Sequence, residues 1–238
     1  FKAALAHYFD HDGPPRGYNV TISGDIPQGL GLGSMAALSC VCVRAAATLA
    51  AADTSDDAIA KAVAAINREY YEQPVNDRAY LATIRAREGS ILFIDAAKRS
   101  YENLPSPFGD YALVLTDSRV PRLPVSQELL DREADCQHGL SILGGKSPPG
   151  LRAYGVSDLD EMMGQMPEHV RRHCTFYIEE VQRVKEARTA VKEADIAVLG
   201  KIVNKSQAGL RNHYEVSCPE IDWLVKRAQE LSGAVFSR

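Results

Sequence analysis

Apolar residues recur at the 3.6-residue period of a helix through much of the chain, and this spacing predicts six helical segments. They fall at residues 2–9, about 34–52, about 56–70, about 167–190, 194–209 and 219–231. Within the fourth segment, four apolar residues share one face and are expected to form buried core. These residues are Phe176, Val181, Val184 and Ala187.

Shorter runs that are rich in β-branched and aromatic residues predict strands. They lie at residues 18–22, 90–94, 111–115 and 234–236. The run at 18–22 leads into a loop with three alternating glycines, and the alanine-rich second helix follows that loop. The last third of the chain is predicted to be mostly helical.

Composition and charge exclude several classes of protein. With 238 residues, of which 45% are hydrophobic and 24% charged, the chain resembles a folded globular protein of one or two domains. Its formal net charge of -4 provides no basic surface for a polyanion, so nucleic acid is not an expected partner. The longest apolar stretches, such as residues 45–52, are too short to span a bilayer, so no membrane partner is expected. The expected location is the cytoplasm.

Cysteine spacing gives no sign of a metal site. The five cysteines stand at positions 40, 42, 136, 174 and 218, without a CxxC pair or a cysteine and histidine spacing that suits zinc. We expect reduced thiols. Cys40 and Cys42 are expected to be small buried residues in the helix after the glycines.

The loop before the second helix carries Gly29, Gly31 and Gly33, and the helix begins near Ser34. A strand, a glycine loop and a helix start place unpaired backbone N–H groups where the helix dipole also favours an anion such as phosphate. A glycine-rich turn that packs tightly and binds nothing is the open alternative. The loop does not match a Walker A sequence, because no Gly-Lys-Ser/Thr follows it. The dinucleotide fingerprint lacks its third glycine, where Ser34 stands.

Residues 27–38, Pro-Gln-Gly-Leu-Gly-Leu-Gly-Ser-Met-Ala-Ala-Leu, resemble the second motif of the GHMP kinases, Pro-x-Gly-x-Gly-Leu-(Gly/Ser)-Ser-Ser-Ala-Ala. The resemblance implies that this stretch binds the nucleotide. The implied residues are Pro27, Gly29, Leu30, Gly31, Leu32, Gly33, Ser34, Met35 and Ala36. Met35 replaces the serine whose hydroxyl meets magnesium in the family, and a thioether is too soft a ligand for that ion. The metal ligands are therefore left unknown.

Two stretches near the C-terminus resemble the galactokinase branch of this family. Residues 205–225 follow Ser-His-x-Ser-Leu-x-x-x-Tyr-x-Val-Ser-x-x-Glu-Leu-Asp-x-Leu almost position by position, and residues 180–187 resemble its Glu-x-x-Arg-Val-x-x-Ala helix. The first stretch also has the pattern of a capped helix start, with Ser217 as the N-cap. Its role is therefore expected to be structural.

The resemblance implies the α+β, two-domain GHMP kinase fold, with mixed sheets and helices packed on them. The expected domains are residues 1–105, with the glycine loop and the candidate base, and residues 106–238. The family's first motif would precede Phe1 and its third would follow Arg238, so both domains are expected to be incomplete at those edges.

In the family, the catalytic base is the Asp of an Asp-Gln pair before a strand that ends in Ile-Asp. Asp77 occupies that place here, ahead of Ile94-Asp95, and is the implied base. A solvated aspartate that caps the following helix is the open alternative. Two positions depart from the pattern: Arg78 replaces the Gln, and Leu129 replaces a tyrosine that touches galactose in galactokinases.

The resemblance implies a sugar kinase that transfers the γ-phosphoryl of ATP to a monosaccharide hydroxyl. ATP and Mg²⁺ would be required, and the partners would be ATP and a small sugar. One alternative is a non-catalytic sensor or pseudokinase, which the departures at Met35, Ser39, Arg78 and Leu129 favour. A nicotinamide-dependent oxidoreductase is a second, which the C-terminal resemblance disfavours. The acceptor sugar and the oligomeric state are left open.

Overall fold

The structure is a computed structural model that describes residues 1–9, 17–70, 77–98, 100–121, 127–144, 150–162, 164–231 and 233–238. The chain divides into two compact units, Phe1–Pro105 and Ser106–Arg238, and each is described separately. The division falls where the domain boundary is predicted. That the units are the two domains of a GHMP kinase stays a prediction.

The first unit is a group of helices followed by one hairpin. Its elements are α1 (Lys2–Tyr8), α2 (Ser34–Leu49), α3 (Asp56–Tyr70), α4 (Asp77–Arg85), β1 (Ser90–Asp95) and β2 (Ser100–Pro105). Small residues of α2, among them Val43, Ala46 and Ala47, pack against Ile59 and Val63 of α3, and all five are buried. Because these α2 side chains are short, the two helices can approach closely. The predicted helices at 34–52 and 56–70 are confirmed.

The hairpin pairs β1 with β2 in antiparallel register, from Ser90 opposite Pro105 to Asp95 opposite Ser100. The predicted strand at 90–94 is confirmed. Its partner is not apparent from the sequence, because Ser-Tyr-Glu-Asn-Leu-Pro carries only one side chain that is buried, Leu104.

A cluster of ion pairs at the start of α3 ties α2 and α4 to it. Asp56 lies 3.0 Å from Arg44 of α2 and 3.2 Å from Arg87, which follows α4. Asp57 contacts Arg85, the last residue of α4. Hydrogen bonding from Arg44, aided by the nearby Arg87 and Arg85, lowers the pKa of Asp56. The ionised carboxylate therefore helps to fix α2 in place.

The second unit is helical in its described part. Its elements are α5 (Gln127–Ile142), a short 3-10 helix (Leu151–Ala153), α6 (Val156–Glu161), α7 (Glu168–Lys192), α8 (Ile196–Asn212) and α9 (Pro219–Gln229). The long α7 packs against α5 and α8. Val170, Cys174 and Ile178 recur at four-residue spacing on its buried face, and Leu159 of α6 joins the same core. The three predicted C-terminal helices are confirmed.

The segment between α8 and α9 is held by side chains of other helices. Arg132 of α5 donates hydrogen bonds to the backbone carbonyls of Tyr214 and Glu215, the second at 2.6 Å. Arg172 of α7 pairs with the Glu215 carboxylate at 2.8 Å. Ser217 is not the N-cap of α9, because Cys218 occupies that position and the Ser217 hydroxyl instead donates to Asp222 at 2.7 Å.

Three of the predicted strands are wrong in the described part of the chain. Residues 18–22, 111–115 and 234–236 belong to no strand there, and Val114 is 82% exposed. A strand requires a neighbour for its backbone hydrogen bonds, and none of the described residues pairs with these runs. Alternation of side chains in a sequence does not identify that neighbour.

The predicted apolar stripe of α7 is only partly buried. Phe176 is buried beside Tyr214, with ring centroids 4.8 Å apart, whereas Val184 is 45% exposed. The core of this unit instead lies on the face that Cys174 and Ile178 share. Among the helices of the described ranges, none has an apolar stretch long enough to cross a bilayer.

Candidate functional site

The glycine loop, residues 27–34, has a repeated backbone conformation. Gly29, Gly31 and Gly33 have φ values of 79°, 77° and 80°, all in the left-handed region that residues with a side chain rarely adopt. Gly33 is the N-cap of α2, and Ser34 is the first residue of that helix. The three alternating glycines that the sequence shows are therefore needed for the shape of the backbone.

Crowding does not explain the glycines at positions 29 and 33. A Cβ atom at Gly29 or Gly33 would meet nothing within 4 Å, and the loop is exposed to solvent from Pro27 to Leu32. A turn that packs tightly under another element would show close neighbours at these positions. Tight packing around Gly29 and Gly33 does not fit this geometry, whereas binding by the loop stays a prediction.

The loop leaves several backbone donors available. In the hydrogen bonds of the described residues, the backbone N–H groups of residues 31–35 have no protein acceptor, and the first bond of α2 runs from Ala37 N to Gly33 O at 2.9 Å. Left-handed residues that alternate with others can form a concave nest of N–H groups. The positive end of the α2 dipole adds to the same field. This arrangement can bind an anionic group such as phosphate.

The side chains around the start of α2 have opposite environments. Ala36 is buried and begins the face that continues through Cys40 and Val43 into the core. Met35 is 62% exposed, and Leu30 and Leu32 are exposed on the loop. The predicted burial of Cys40 and Cys42 is confirmed. Anchoring by one buried face leaves the loop and Met35 accessible to a ligand.

The first turn of α2 carries one side chain that does not suit a magnesium ion and one that does. Met35 presents a thioether, which does not suit a hard cation, although Ser34 beside it carries a hydroxyl. In the part of the chain that the structure describes, no group of three or more His, Cys, Asp and Glu side chains is arranged to hold a metal ion.

The implied catalytic base, Asp77, is the first residue of α4. Its side chain lies outside the described part of the structure. The α4 helix packs on both α2 and α3, so Asp77 and the glycine loop belong to the same compact unit. Leu129, one of the predicted departures from the family pattern, lies exposed near the start of α5 in the other unit.

The sequence did not predict a groove of about 660 Å³ on the second unit. It runs along α7 and α8 and is lined by basic residues such as Arg183 and Lys205 and by acidic residues such as Glu179 and Glu186. Charged residues at helical spacing on both helices are the only signal for it in the sequence. Since both signs of charge line the groove, no single ligand chemistry follows.

Comparison with known proteins gives one consistent result. Residues 1–77 match the family described as the GHMP kinases N terminal domain. A putative galactokinase of Treponema pallidum is 31% identical over 231 residues, which are 96% of this chain and 58% of that protein. The galactokinase of Pyrococcus furiosus is 31% identical over 219 residues, or 91% of this chain and 59% of that protein. The chain thus spans less than two thirds of the length of these relatives.

A solved structure has the same fold. The crystal structure of Lactococcus lactis galactokinase complexed with galactose superposes with a TM-score of 0.85 and covers 100% of this chain and 62% of that one. At 19% sequence identity, this likeness establishes the fold alone. The expected α+β class is confirmed, and the described residues form helices and one small sheet in place of the expected mixed sheets.

Proposed function

This chain is a galactokinase-like member of the GHMP kinase family, and from that premise we propose that it acts as an ATP-dependent sugar kinase in the cytoplasm. The reaction would transfer the γ-phosphoryl of ATP to a hydroxyl of a monosaccharide. The observation that carries the proposal is the left-handed conformation of Gly29, Gly31 and Gly33 directly before α2. The relatives, which are named galactokinases, favour a kinase over a non-catalytic sensor.

The glycine loop would bind the phosphates of ATP through its backbone. The N–H groups of residues 31–35 would donate hydrogen bonds to phosphate oxygens, and the absence of Cβ atoms lets the backbone approach them. The proposed nucleotide-binding residues are Pro27, Gly29, Leu30, Gly31, Leu32, Gly33, Ser34, Met35 and Ala36. Positioning and charge stabilisation provide most of the rate in such transfers, so a preformed nest of donors suits the chemistry.

Asp77 would act on the acceptor and not on the nucleotide. Its carboxylate would accept the proton of the sugar hydroxyl as that oxygen attacks phosphorus, a step that contributes about 10²–10⁴-fold to the rate. Mg²⁺ is proposed to arrive with ATP, and because the thioether of Met35 does not suit this ion, no step is assigned through a protein-bound metal. Galactose, which is bound in the Lactococcus lactis enzyme, is the first acceptor to test.

A pair of matched glycine substitutions tests the role of the loop. Gly33 and Gly89 both have positive φ, 80° and 68°, and a Cβ at either would meet nothing within 4 Å. Alanine at either position should cost about 1–2 kcal/mol of stability, since the left-handed conformation is disfavoured for it. Only Gly33→Ala should weaken ATP binding, measured by isothermal titration calorimetry. Equal ATP affinities in the two variants would contradict the proposed role of the loop.

A further inference from the structure

Two of the five cysteines meet inside the second unit. Cys136 of α5 is 7% exposed and Cys174 of α7 is completely buried, and the two side chains lie in one apolar cluster, where each thiol affects the pKa of the other. They are 38 positions apart in the sequence, so the contact depends on the packing of α5 against α7. Both belong to the same apolar cluster and are reduced.

A glycine on α5 allows α5 and α7 to pack closely beside the two cysteines. Gly139 lies one helical turn after Cys136, on the same face of α5. A Cβ at Gly139 would clash with Cys174 Sγ and would lie 3.2 Å from Val170 Cγ1. The Cys174 sulfur is therefore seated against the backbone of α5, beside the turn that carries Cys136. A larger residue at position 139 would displace the Cys174 sulfur from its present position.

The two thiols are not equivalent. The hydrogen bond from Cys174 lowers the pKa of Cys136, although burial and the carboxylates of Asp135 and Glu133 oppose this effect. The same hydrogen bond, together with burial, raises the pKa of Cys174. Cys136 is also the more exposed of the pair. Because solvent reaches Cys136 and not Cys174, Cys136 is the group placed to react first, as the thiolate that is the nucleophilic form of cysteine.

We propose that Cys136 and Cys174 form a modification site at which a hydroperoxide converts the two thiols into a disulfide that joins α5 to α7. The other cysteines lack this arrangement. Cys40 and Cys42 lie two residues apart on α2 and so face different directions, and burial raises the pKa of Cys40 to about 11. Cys218, at the start of α9, is half-buried.

The reaction balances with hydrogen peroxide as the only co-reactant. The Cys136 sulfur attacks one peroxide oxygen, the O–O bond breaks, and the leaving hydroxide takes the thiol proton to form water. Cys174 sulfur then attacks the sulfenic sulfur of Cys136, so that an S–S bond forms and the S–O bond breaks. The departing hydroxide takes the proton of Cys174 as a second water. The two thiols supply the two electrons that reduce the peroxide.

Peptide mapping of the whole chain tests the site directly. The folded protein is treated with hydrogen peroxide, its remaining thiols are blocked with N-ethylmaleimide, and it is digested with trypsin without reduction. We expect one linked pair, EADCQHGLSILGGK (133–146) with HCTFYIEEVQR (173–183), and the loss of two of the five thiols. Recovery of both peptides alkylated or separately oxidised, or linkage of either one to the Cys218 peptide instead, would overturn the proposal.

Two variants separate geometry from general thiol reactivity. Gly139→Ala keeps all five cysteines but should strongly reduce the yield of the linked pair, because its methyl group displaces the Cys174 sulfur. Cys218→Ser is the matched control and should leave the yield unchanged. If Gly139→Ala does not fold, peptide mapping of the unaltered chain still shows whether Cys136 and Cys174 become linked. An unchanged yield in a folded Gly139→Ala variant would show that the close approach of the helices does not control the reaction.

Discussion

The glycine loop and the segment from His213 to Cys218 both resemble family motifs, but their backbone polar groups have opposite environments. In the glycine loop, the N–H groups of residues 31–35 have no acceptor among the residues that the structure describes, and residues 27–32 are exposed. In the second segment, arginine side chains from α5 and α7 bind the backbone carbonyls and the carboxylate of Glu215. We expect a ligand-binding motif to leave backbone N–H groups without a protein acceptor, whereas in a structural motif the backbone polar groups have partners within the protein.

The largest expected effect is a loss of activity on substitution of the proposed base, which lies in the same unit as the glycine loop. Asp77→Asn should lower sugar phosphorylation by about 10²–10⁴-fold, since the amide cannot accept the proton of the acceptor hydroxyl. ATP affinity should stay within a few-fold of that of the unaltered chain. Coupled-enzyme kinetics and calorimetry measure the two quantities, with Asp110→Asn, on an exposed turn of the other unit, as the control. A parallel loss of ATP binding would indicate that Asp77 supports structure instead.

The next largest effect is a loss of stability when the segment from His213 to Cys218 loses a side chain that holds it. Arg132→Ala should reduce the free energy of unfolding by about 1–3 kcal/mol, because the carbonyls of Tyr214 and Glu215 lose their charged donor. Urea unfolding measures the change. The control is Arg119→Ala, whose 89% exposed side chain makes only a surface ion pair with Asp117, so its loss should cost well under about 1 kcal/mol. Similar losses in both variants would mean that Arg132 does not organise this segment.

A smaller, pH-dependent effect concerns the ion pairs that fix α2. The pKa of Asp56 is lowered in the folded state, so its contribution to stability is present above the unfolded pKa of about 3.9 and is lost as pH falls through the folded value. Asp56→Asn should therefore lower the melting temperature at pH 7. The difference between the two proteins should close as the pH falls below about 4. A constant difference down to the most acidic condition would contradict this account.

The smallest expected effect is at Met35. If this chain is a working kinase, Met35→Ser adds a hydroxyl that suits Mg²⁺ beside the phosphate nest, so half-maximal turnover should require less Mg²⁺. Met35→Leu, which also cannot coordinate the ion, should behave like the unaltered chain. Turnover across a Mg²⁺ titration measures both. No difference between the serine and leucine variants would show that the ion does not approach position 35.

The sequence predicts local features of this fold better than it predicts pairings. The helices α2, α3 and α7 to α9 begin and end within a few residues of their predicted bounds, because period and end signals are local. The runs at 18–22 and 111–115 have the composition of strands, but a strand depends on a distant neighbour that one sequence does not reveal.

The local features of the candidate site could likewise be predicted from the sequence, whereas contacts between distant residues could not. The glycine loop could be predicted because glycine at alternating positions permits a left-handed backbone that other residues disfavour. The opposite exposure of Met35 and Ala36 follows once α2 is known to bury the face that contains Ala36. The contact between Cys136 and Cys174 could not be predicted, because it results from the close packing of α5 and α7 at Gly139.

The most direct test of the central claim follows the backbone amides of the glycine loop. In a ¹⁵N-labelled sample of the whole chain, adding ATP should shift the amide resonances of residues 31–35 in a saturable way, because these N–H groups would then donate to phosphate oxygens. The amides around Gly89, which shares the left-handed conformation, should not move. Saturable binding of ATP that leaves residues 31–35 unperturbed would contradict the account, as would the absence of any ATP binding.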